Sequence, residues 1–277
     1  MRIDSHQHFW LLSRGDYGWL TSDLAAIHRD HAPADLEPLL KTAHIDRTVL
    51  VQAAPTVAET DFLLRLAEST PFVAGVVGWV DFEADDAAHR IAALAARENL
   101  VGLRPMIQDI VDDRWMLSAA IRPAVEAMAD EGLTFDALIR PRHIPILGEF
   151  AALYPALDIV IDHAAKPDIA AAGLGDWARD IRKLAAETRL VCKLSGLVTE
   201  AAPGWSAQTL RPYVDVLLEA FGADRLMWGS DWPVLNLNGD YAAWMAAAEQ
   251  LLEGLSDTER EAIFGGTASV FYGLDRE

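Results

Sequence analysis

Two histidines one residue apart stand at the start of the chain, in Met1-Arg-Ile-Asp-Ser-His-Gln-His-Phe-Trp10. Read as a strand, this stretch sends alternate side chains to opposite faces, so Asp4, His6 and His8 are expected on one face and Ile3, Ser5 and Gln7 on the other. Two imidazoles then converge on one small volume, which suits a metal ion or the carbonyl oxygen of a substrate. In isolation a pair of surface histidines would read the same way. Two later residues extend the pattern: His163 closes the run Leu157-Asp-Ile-Val-Ile-Asp-His163, and Asp231 closes Arg225-Leu-Met-Trp-Gly-Ser-Asp231. Three imidazoles and a carboxylate form a ligand set that first-row metals accept. Without an ion the same groups could perform acyl transfer, with imidazoles donating to a developing oxyanion and Asp231 taking a proton from water.

These residues come from opposite ends of the chain, so a fold must bring them together. After the first strand, the predicted strands are Thr48 to Gln52, Phe72 to Val80, Leu100 to Arg104, Leu133 to Ile139, Leu157 to His163, Leu190 to Ser195 and Arg225 to Asp231. Between them lie helical patterns at Ala34 to Ala43, Val57 to Ser69, Ala84 to Arg97, Ala119 to Glu131, Ile144 to Tyr154, 174 to 187 and 206 to 221, with two more after 238. Eight strands alternating with helices predict a (β/α)8 TIM barrel, read as a single domain over residues 1–277, with its active site at the C-terminal ends of the strands. An open doubly wound sheet is the competing architecture. No glycine-rich dinucleotide fingerprint follows the first strand, which favours the barrel.

The polar residues at predicted strand ends are His6, His8, Gln52, Arg104, Asp136, His163, Lys193, Ser195 and Asp231. A parallel strand buried on both faces should be nearly all apolar, so ionisable groups there need a purpose. In a closed barrel they ring one cavity. His28, His31, His44, His89 and His143 fall away from strand ends, and Cys192 reads as packing.

The chain carries 23 Lys plus Arg against 42 Asp plus Glu, a formal charge of −19 that disfavours nucleic acid and anionic membranes as partners. One cysteine, no signal-like N-terminus and no long apolar run point to a cytoplasmic protein without an intrachain disulfide. Oligomeric state is not legible.

Taken together, the HxH of the first strand, Val51-Gln52, Gly78-Trp-Val-Asp81, Arg104 with Ile107-Gln-Asp109, Ile161-Asp-His-Ala-Ala-Lys-Pro167, Lys193-Leu-Ser-Gly196 and Trp228-Gly-Ser-Asp-Trp-Pro233 resemble the amidohydrolase superfamily, in the amidohydrolase-related branch that contains sugar-acid lactonases. The likeness runs from Asp4 to about Leu274. It implies hydrolysis of a small lactone of the L-fucono-, L-galactono- or L-rhamnono- type, with His6, His8, His163 and Asp231 at the active site. Asp231 would serve as base for water, and the three histidines would polarise the carbonyl directly or through one divalent ion. The resemblance covers both metal-using members, with zinc the first candidate, and metal-independent ones. Arg104 and Asp136 stand on the strands where many two-metal relatives carry a bridging ligand and a histidine, which argues against a two-metal centre. Arg104, Trp10, Tyr17, Trp19, Gln52, Trp232 and Lys193 are candidates for substrate contact, and Asp162 and Lys166 are expected to orient His163. An aromatic-pathway lactonase, a metal-dependent non-oxidative decarboxylase and a non-catalytic sugar-acid binding barrel are the alternatives on the same scaffold.

Overall fold

The computed structural model describes residues 1–274. Eight parallel strands follow one another around a single sheet in chain order: β1 (Ile3–Gln7), β2 (Arg47–Val51), β3 (Val73–Gly78), β4 (Leu100–Leu103), β5 (Thr134–Ala137), β6 (Ile159–Ile161), β7 (Val191–Leu194) and β8 (Leu226–Trp228). Helices α1 (Pro33–Ala43), α2 (Val57–Glu68), α3 (Ala87–Ala95), α4 (Arg122–Asp130), α5 (Ile144–Leu153) and α6 (Gly175–Glu187) cover the outside. A short α7 (Leu197–Glu200), which periodicity does not anticipate, and α8 (Ala207–Phe221) connect β7 to β8, and α9 (Tyr241–Leu251), α10 (Asp257–Glu261) and α11 (Thr267–Tyr272) complete the described chain. The expected barrel is the observed one. Among the described residues no helix is long and apolar enough to cross a membrane.

Local chemistry explains the helix starts. The Thr56 hydroxyl accepts from the Glu59 amide at 3.0 Å and caps α2, Asp240 caps α9, and Pro33, Pro123 and Pro145 occupy first-turn positions where no amide donor is needed. In α6 the buried residues Trp177, Ala178, Ile181, Leu184 and Ala185 form one stripe, so the helix has a single face to bury against the barrel.

Two apolar layers follow from strands buried on both sides. Outside the sheet, residues such as Leu50, Val76, Leu103 and Phe135 pack under the helices. Inside, Ile3, Val49, Val51, Val77, Val160 and Met227 meet Ala268, Tyr272 and Leu274 from the C-terminal segment, which plugs the barrel at the strands' N-terminal ends. His6, His8, Arg104, His163 and Asp231 stand at the other end.

Closure between β1 and β8 is made just beyond β8. Gln7 bridges Trp232 in parallel, the Asp231 amide donates to the His6 carbonyl at 2.8 Å, and the His8 amide donates to the Trp232 carbonyl at 2.7 Å. Asp4 fastens the same seam. Its carboxylate accepts from the Ser230 amide at 2.8 Å, the His6 amide at 3.2 Å and the Tyr241 hydroxyl at 3.0 Å. This corrects the simple alternation: a register shift between Asp4 and Gln7 turns Asp4 toward α9 while His6 faces the interior, and a bulge beside a site commonly re-aims a side chain in this way.

Candidate functional site

The seam delivers Asp231 to the histidine pair. One oxygen of its carboxylate lies 3.3 Å from His8 Nε2, 3.8 Å from His6 Nε2 and 3.9 Å from His163 Nε2, and the Nε2 atoms of His6 and His8 are 3.2 Å apart. The four residues singled out from sequence thus meet at one point, supplied by β1, the turn after β6 and the segment after β8.

Each ring is held from behind. His8 Nδ1 donates to the Val51 carbonyl at 2.7 Å, which leaves the Nε2 lone pair of the neutral ring facing Asp231. His163 Nδ1 pairs with the Ser195 hydroxyl at 2.9 Å. Asp162 and Lys166, expected to orient His163, do something else: the Lys166 amide only closes the turn onto the His163 carbonyl, and Asp162 faces His6 and Arg104. The backbone is bent hard here. His163, Ala164, Ala165 and Lys166 have φ of 52°, 52°, 58° and 53°, and Asp231 has 58°. Left-handed backbone costs non-glycine residues roughly 1–2 kcal/mol each. Such conformations concentrate at sites whose side chains must be aimed.

Solvent reaches only one layer of the cluster. His8, His163 and Arg104 keep 3% of their surface exposed and Asp231 4%, whereas His6, Asp162, Lys193 and Asp136 have none. Burial therefore governs the charges. It lowers the pKa of all three imidazoles, His163 to about 4 and His6 well below the usual range, with the Lys193 cation adding to the effect at His6. Burial alone would raise Asp231, but the positive charge that His163, His6 and His8 could carry outweighs it and holds the carboxyl below its ordinary value. At neutral pH an ionised carboxylate faces neutral rings.

Beneath them lies an ionic network. The Arg104 guanidinium contacts Asp162 at 3.2 Å and His6 Nε2 at 3.3 Å and donates to the Gln52 carbonyl. Lys193 contacts Asp136 at 2.6 Å, Asp162 at 3.0 Å and His6 Nδ1 at 3.1 Å. Burial raises Asp162, and the Lys193, His6 and Arg104 charges together bring it well below its usual range; Asp136 is raised by burial despite Lys193. The Tyr272 hydroxyl, reaching up from α11, donates to Asp136 at 2.8 Å. No pattern in the sequence places Tyr272 here, because its partner lies 136 positions away.

The remaining candidates line the roof or its supports. Trp10 and Trp232 are buried, and the Trp10 indole N–H is used on the Arg29 carbonyl. Trp19 is 37% exposed and donates to the Ala53 carbonyl. The Gln52 amide donates to the Arg104 carbonyl at 2.8 Å. Tyr17 donates to Glu59 at 2.8 Å and ties the loop after β1 to α2. Burial pushes Glu59 up from about 4.5 to about 7, against the pull of Tyr17, Ala53 and Arg14. Because the folded carboxyl holds its proton more tightly than the unfolded one, its stabilising contribution is full below pH 4.5 and is lost as pH rises through about 7. Glu59→Gln should therefore gain on the parent protein by about 2–3 kcal/mol between pH 4.5 and pH 8, read from chemical denaturation at both pH values. A constant difference between the two proteins would show that Glu59 does not titrate in this range.

Residues 3–274 match the Amidohydrolase family. The chain belongs to that family. It is 49% identical to the L-fucono-1,5-lactonase of Burkholderia ambifaria, covering 99% of this chain and 96% of that one, and 39% identical to the L-fucono-1,5-lactonase of Burkholderia multivorans over the same shares. A crystal structure of an amidohydrolase from Burkholderia multivorans with bound zinc superimposes with a TM-score of 0.93 at 37% identity, covering 99% of both chains.

In this amidohydrolase the spacing of the donors suits one divalent ion. Ligand atoms of His6, His163 and Asp231 lie within 4.8 Å of one another, all buried. The Asp231 oxygen stands 3.8 Å from His6 Nε2 and 3.9 Å from His163 Nε2, close to the donor spacing around an ion with bonds of about 2.0–2.2 Å. The free lone pair of His8 fits as well, since its Nδ1 is fixed by Val51 in the usual manner of a ligating histidine.

Proposed function

We propose that the protein is a hydrolase that opens a small sugar lactone, of the L-fucono-1,5-lactone kind. The observation that carries this reading is the meeting of Asp231 with His6, His8 and His163 at the barrel mouth, in a chain similar over its whole length to two lactonases.

In the proposed reaction Asp231 removes a proton from water, whose oxygen attacks the lactone carbonyl. The carbonyl oxygen becomes an oxyanion, faced by Arg104 and by His163, whose Nε2 can carry the proton while its Nδ1 accepts from the Ser195 hydroxyl. Collapse breaks the bond to the ring oxygen, and Asp231 returns its proton to that oxygen as it leaves as a hydroxyl. A lactone is more reactive than an amide, so fixed donors in a site closed to bulk water suffice for the electrophilic assistance. A divalent ion held by His6, His8, His163 and Asp231, zinc being the first candidate, would supply Lewis-acid polarisation of the same carbonyl. Trp19, partly exposed at the roof, offers a surface for a sugar ring.

Opening a lactone at neutral pH releases a proton, because the product acid ionises. A panel of L-fucono-, L-galactono- and L-rhamnonolactones in weak buffer should acidify faster with enzyme than without, and no carbon dioxide should form. Absence of any acceleration across the panel would sink the proposal. Repeating the assay after chelation, with and without added zinc, separates the two forms of the mechanism: undiminished turnover assigns polarisation to the side chains, and loss restored by zinc assigns it to an ion.

A further inference from the structure

Glu59 lies in the first turn of α2 and has no exposed surface. Thr56 and Glu59 have the spacing of a capping box, in which the glutamate would fold back to the Thr56 amide. Here that amide is taken by the Ala54 carbonyl at 2.8 Å, and Glu59 reaches past it. Its Oε1 accepts from the Ala53 amide at 3.3 Å, while its Oε2 accepts from the Tyr17 hydroxyl at 2.8 Å and lies 3.6 Å from Arg14 Nε. A buried carboxyl is costly, so its contacts need a purpose.

The Ala53 amide and the Gln52 carbonyl belong to one peptide group. Such a group is planar and trans, so its N–H and C=O point opposite ways and fixing one fixes the other. The N–H ends on Glu59, and the C=O accepts from Arg104 Nη2. Among the described residues that carbonyl is the one hydrogen-bond partner of Nη2, whereas Nη1 contacts Asp162 at 3.2 Å and His6 at 3.3 Å. The Gln52 side chain donates to the Arg104 carbonyl at 2.8 Å, which holds the Arg104 backbone but not its head. We infer that Glu59 is a positioning residue: by holding the Gln52–Ala53 peptide, it aims the Gln52 carbonyl at Arg104 and fixes the guanidinium plane at the barrel mouth.

The Ala53 amide can only donate, and a carboxyl oxygen accepts it whether Glu59 is ionised or protonated, so the role does not depend on charge. The same carboxyl fastens Tyr17, and the Ala53 carbonyl takes the Trp19 indole N–H at 2.7 Å. The loop after β1 and the Arg104 head therefore share one anchor outside the pocket. The effect of this anchor on turnover rests on the lactonase reading, in which Arg104 faces the oxyanion; its effect on the position of Arg104 does not.

The test uses the whole protein with 15N-labelled arginine and no lactone. Arg104 Nε is buried without a partner, and loss of its N–H signal in Arg104→Lys assigns it. Glu59→Leu cannot accept from Ala53, so the Arg104 signal should shift. Glu59→Gln can accept from Ala53 with its carbonyl and donate to the Tyr17 oxygen with its amino group, so the signal should stay. On whichever lactone the parent protein opens, kcat should fall about 10- to 10²-fold in Glu59→Leu, with a smaller change in KM, and should be rescued to within a few-fold in Glu59→Gln. A glutamate that only staples the fold would lower the melting temperature of Glu59→Leu and leave the Arg104 signal in place, which overturns the inference. A shift in Glu59→Gln as large as that in Glu59→Leu overturns it as well. If Glu59→Leu does not fold, Glu59→Asp, one methylene shorter, is read in its place and should shift the signal. A protein that opens no lactone sinks the proposed function and leaves the spectra to decide this inference, whereas an unmoved Arg104 signal in an active lactonase sinks this inference alone.

Discussion

Asp231→Asn is expected to fold normally and to lose about 10²–10⁴ in kcat on whichever lactone the parent protein opens, the usual magnitude for deleting a general base. Asparagine matches aspartate in size and tolerates the left-handed backbone found at this position, where φ is 58°. The seam itself depends on backbone contacts, from the Asp231 amide to the His6 carbonyl and from the His8 amide to the Trp232 carbonyl, which the substitution leaves in place. What it removes is the negative charge and the capacity to take a proton from water. KM should change little, because the carboxylate is assigned to water and not to binding of the sugar. Initial rates over a no-enzyme blank, together with a thermal melt, give the answer. A rate within a few-fold of the parent would remove Asp231 from the base role and shift attention to His163 or His8.

The barrel was legible because burying strands on both faces demands apolar runs, and the interruptions of those runs by His6, Arg104, Asp136, Lys193 and Asp231 are the residues that the structure collects at one end. Alternation failed at Asp4, where one extra residue in β1 changes the face, and nothing local in Asp4-Ser-His announces a bulge. Sequence adjacency misled at Asp162: standing beside His163 in the chain, it turns to His6 and Arg104, while the left-handed turn that begins at His163 aims that imidazole at Asp231. Tyr272 lay beyond sequence reasoning altogether. Its role depends on the C-terminal helix entering the barrel from below, a long-range docking event that leaves no periodicity behind. Of the aromatics after β1 that are candidates for substrate contact, Trp10 and Tyr17 pack with Leu20 and Ile27 over Ala53 and Ala54 as a roof. The sugar face of that roof depends on packing detail that composition does not encode.

Gly196→Ala is expected to lower kcat by about 10² and stability by about 1–3 kcal/mol, although residue 196 carries no chemistry. Two separate costs combine at this position. Its φ of 66° is left-handed, where glycine is at ease and alanine is strained. A methyl group there would also stand 2.6 Å from His163 Cγ and Nδ1, inside any contact that carbon tolerates. The imidazole cannot simply withdraw. Its Nδ1 is tied to Ser195, the residue just before the glycine, and its own backbone belongs to the left-handed turn. The strain must therefore be relieved by moving the ring, and with it Nε2, out of register with Asp231. If His163 acts only as a spectator, the alanine protein should melt lower and still turn over lactone at the parent rate, so comparing the loss of kcat with the fall in melting temperature tells a displaced catalytic ring from a general loosening. Gly229 provides an internal comparison: a methyl there would approach His6 Cβ to 2.8 Å, pressing on the buried histidine from the β8 side. A larger loss of rate for the same loss of stability at Gly196 would place the more demanding geometry at His163, on the solvent-touching layer where substrate must arrive.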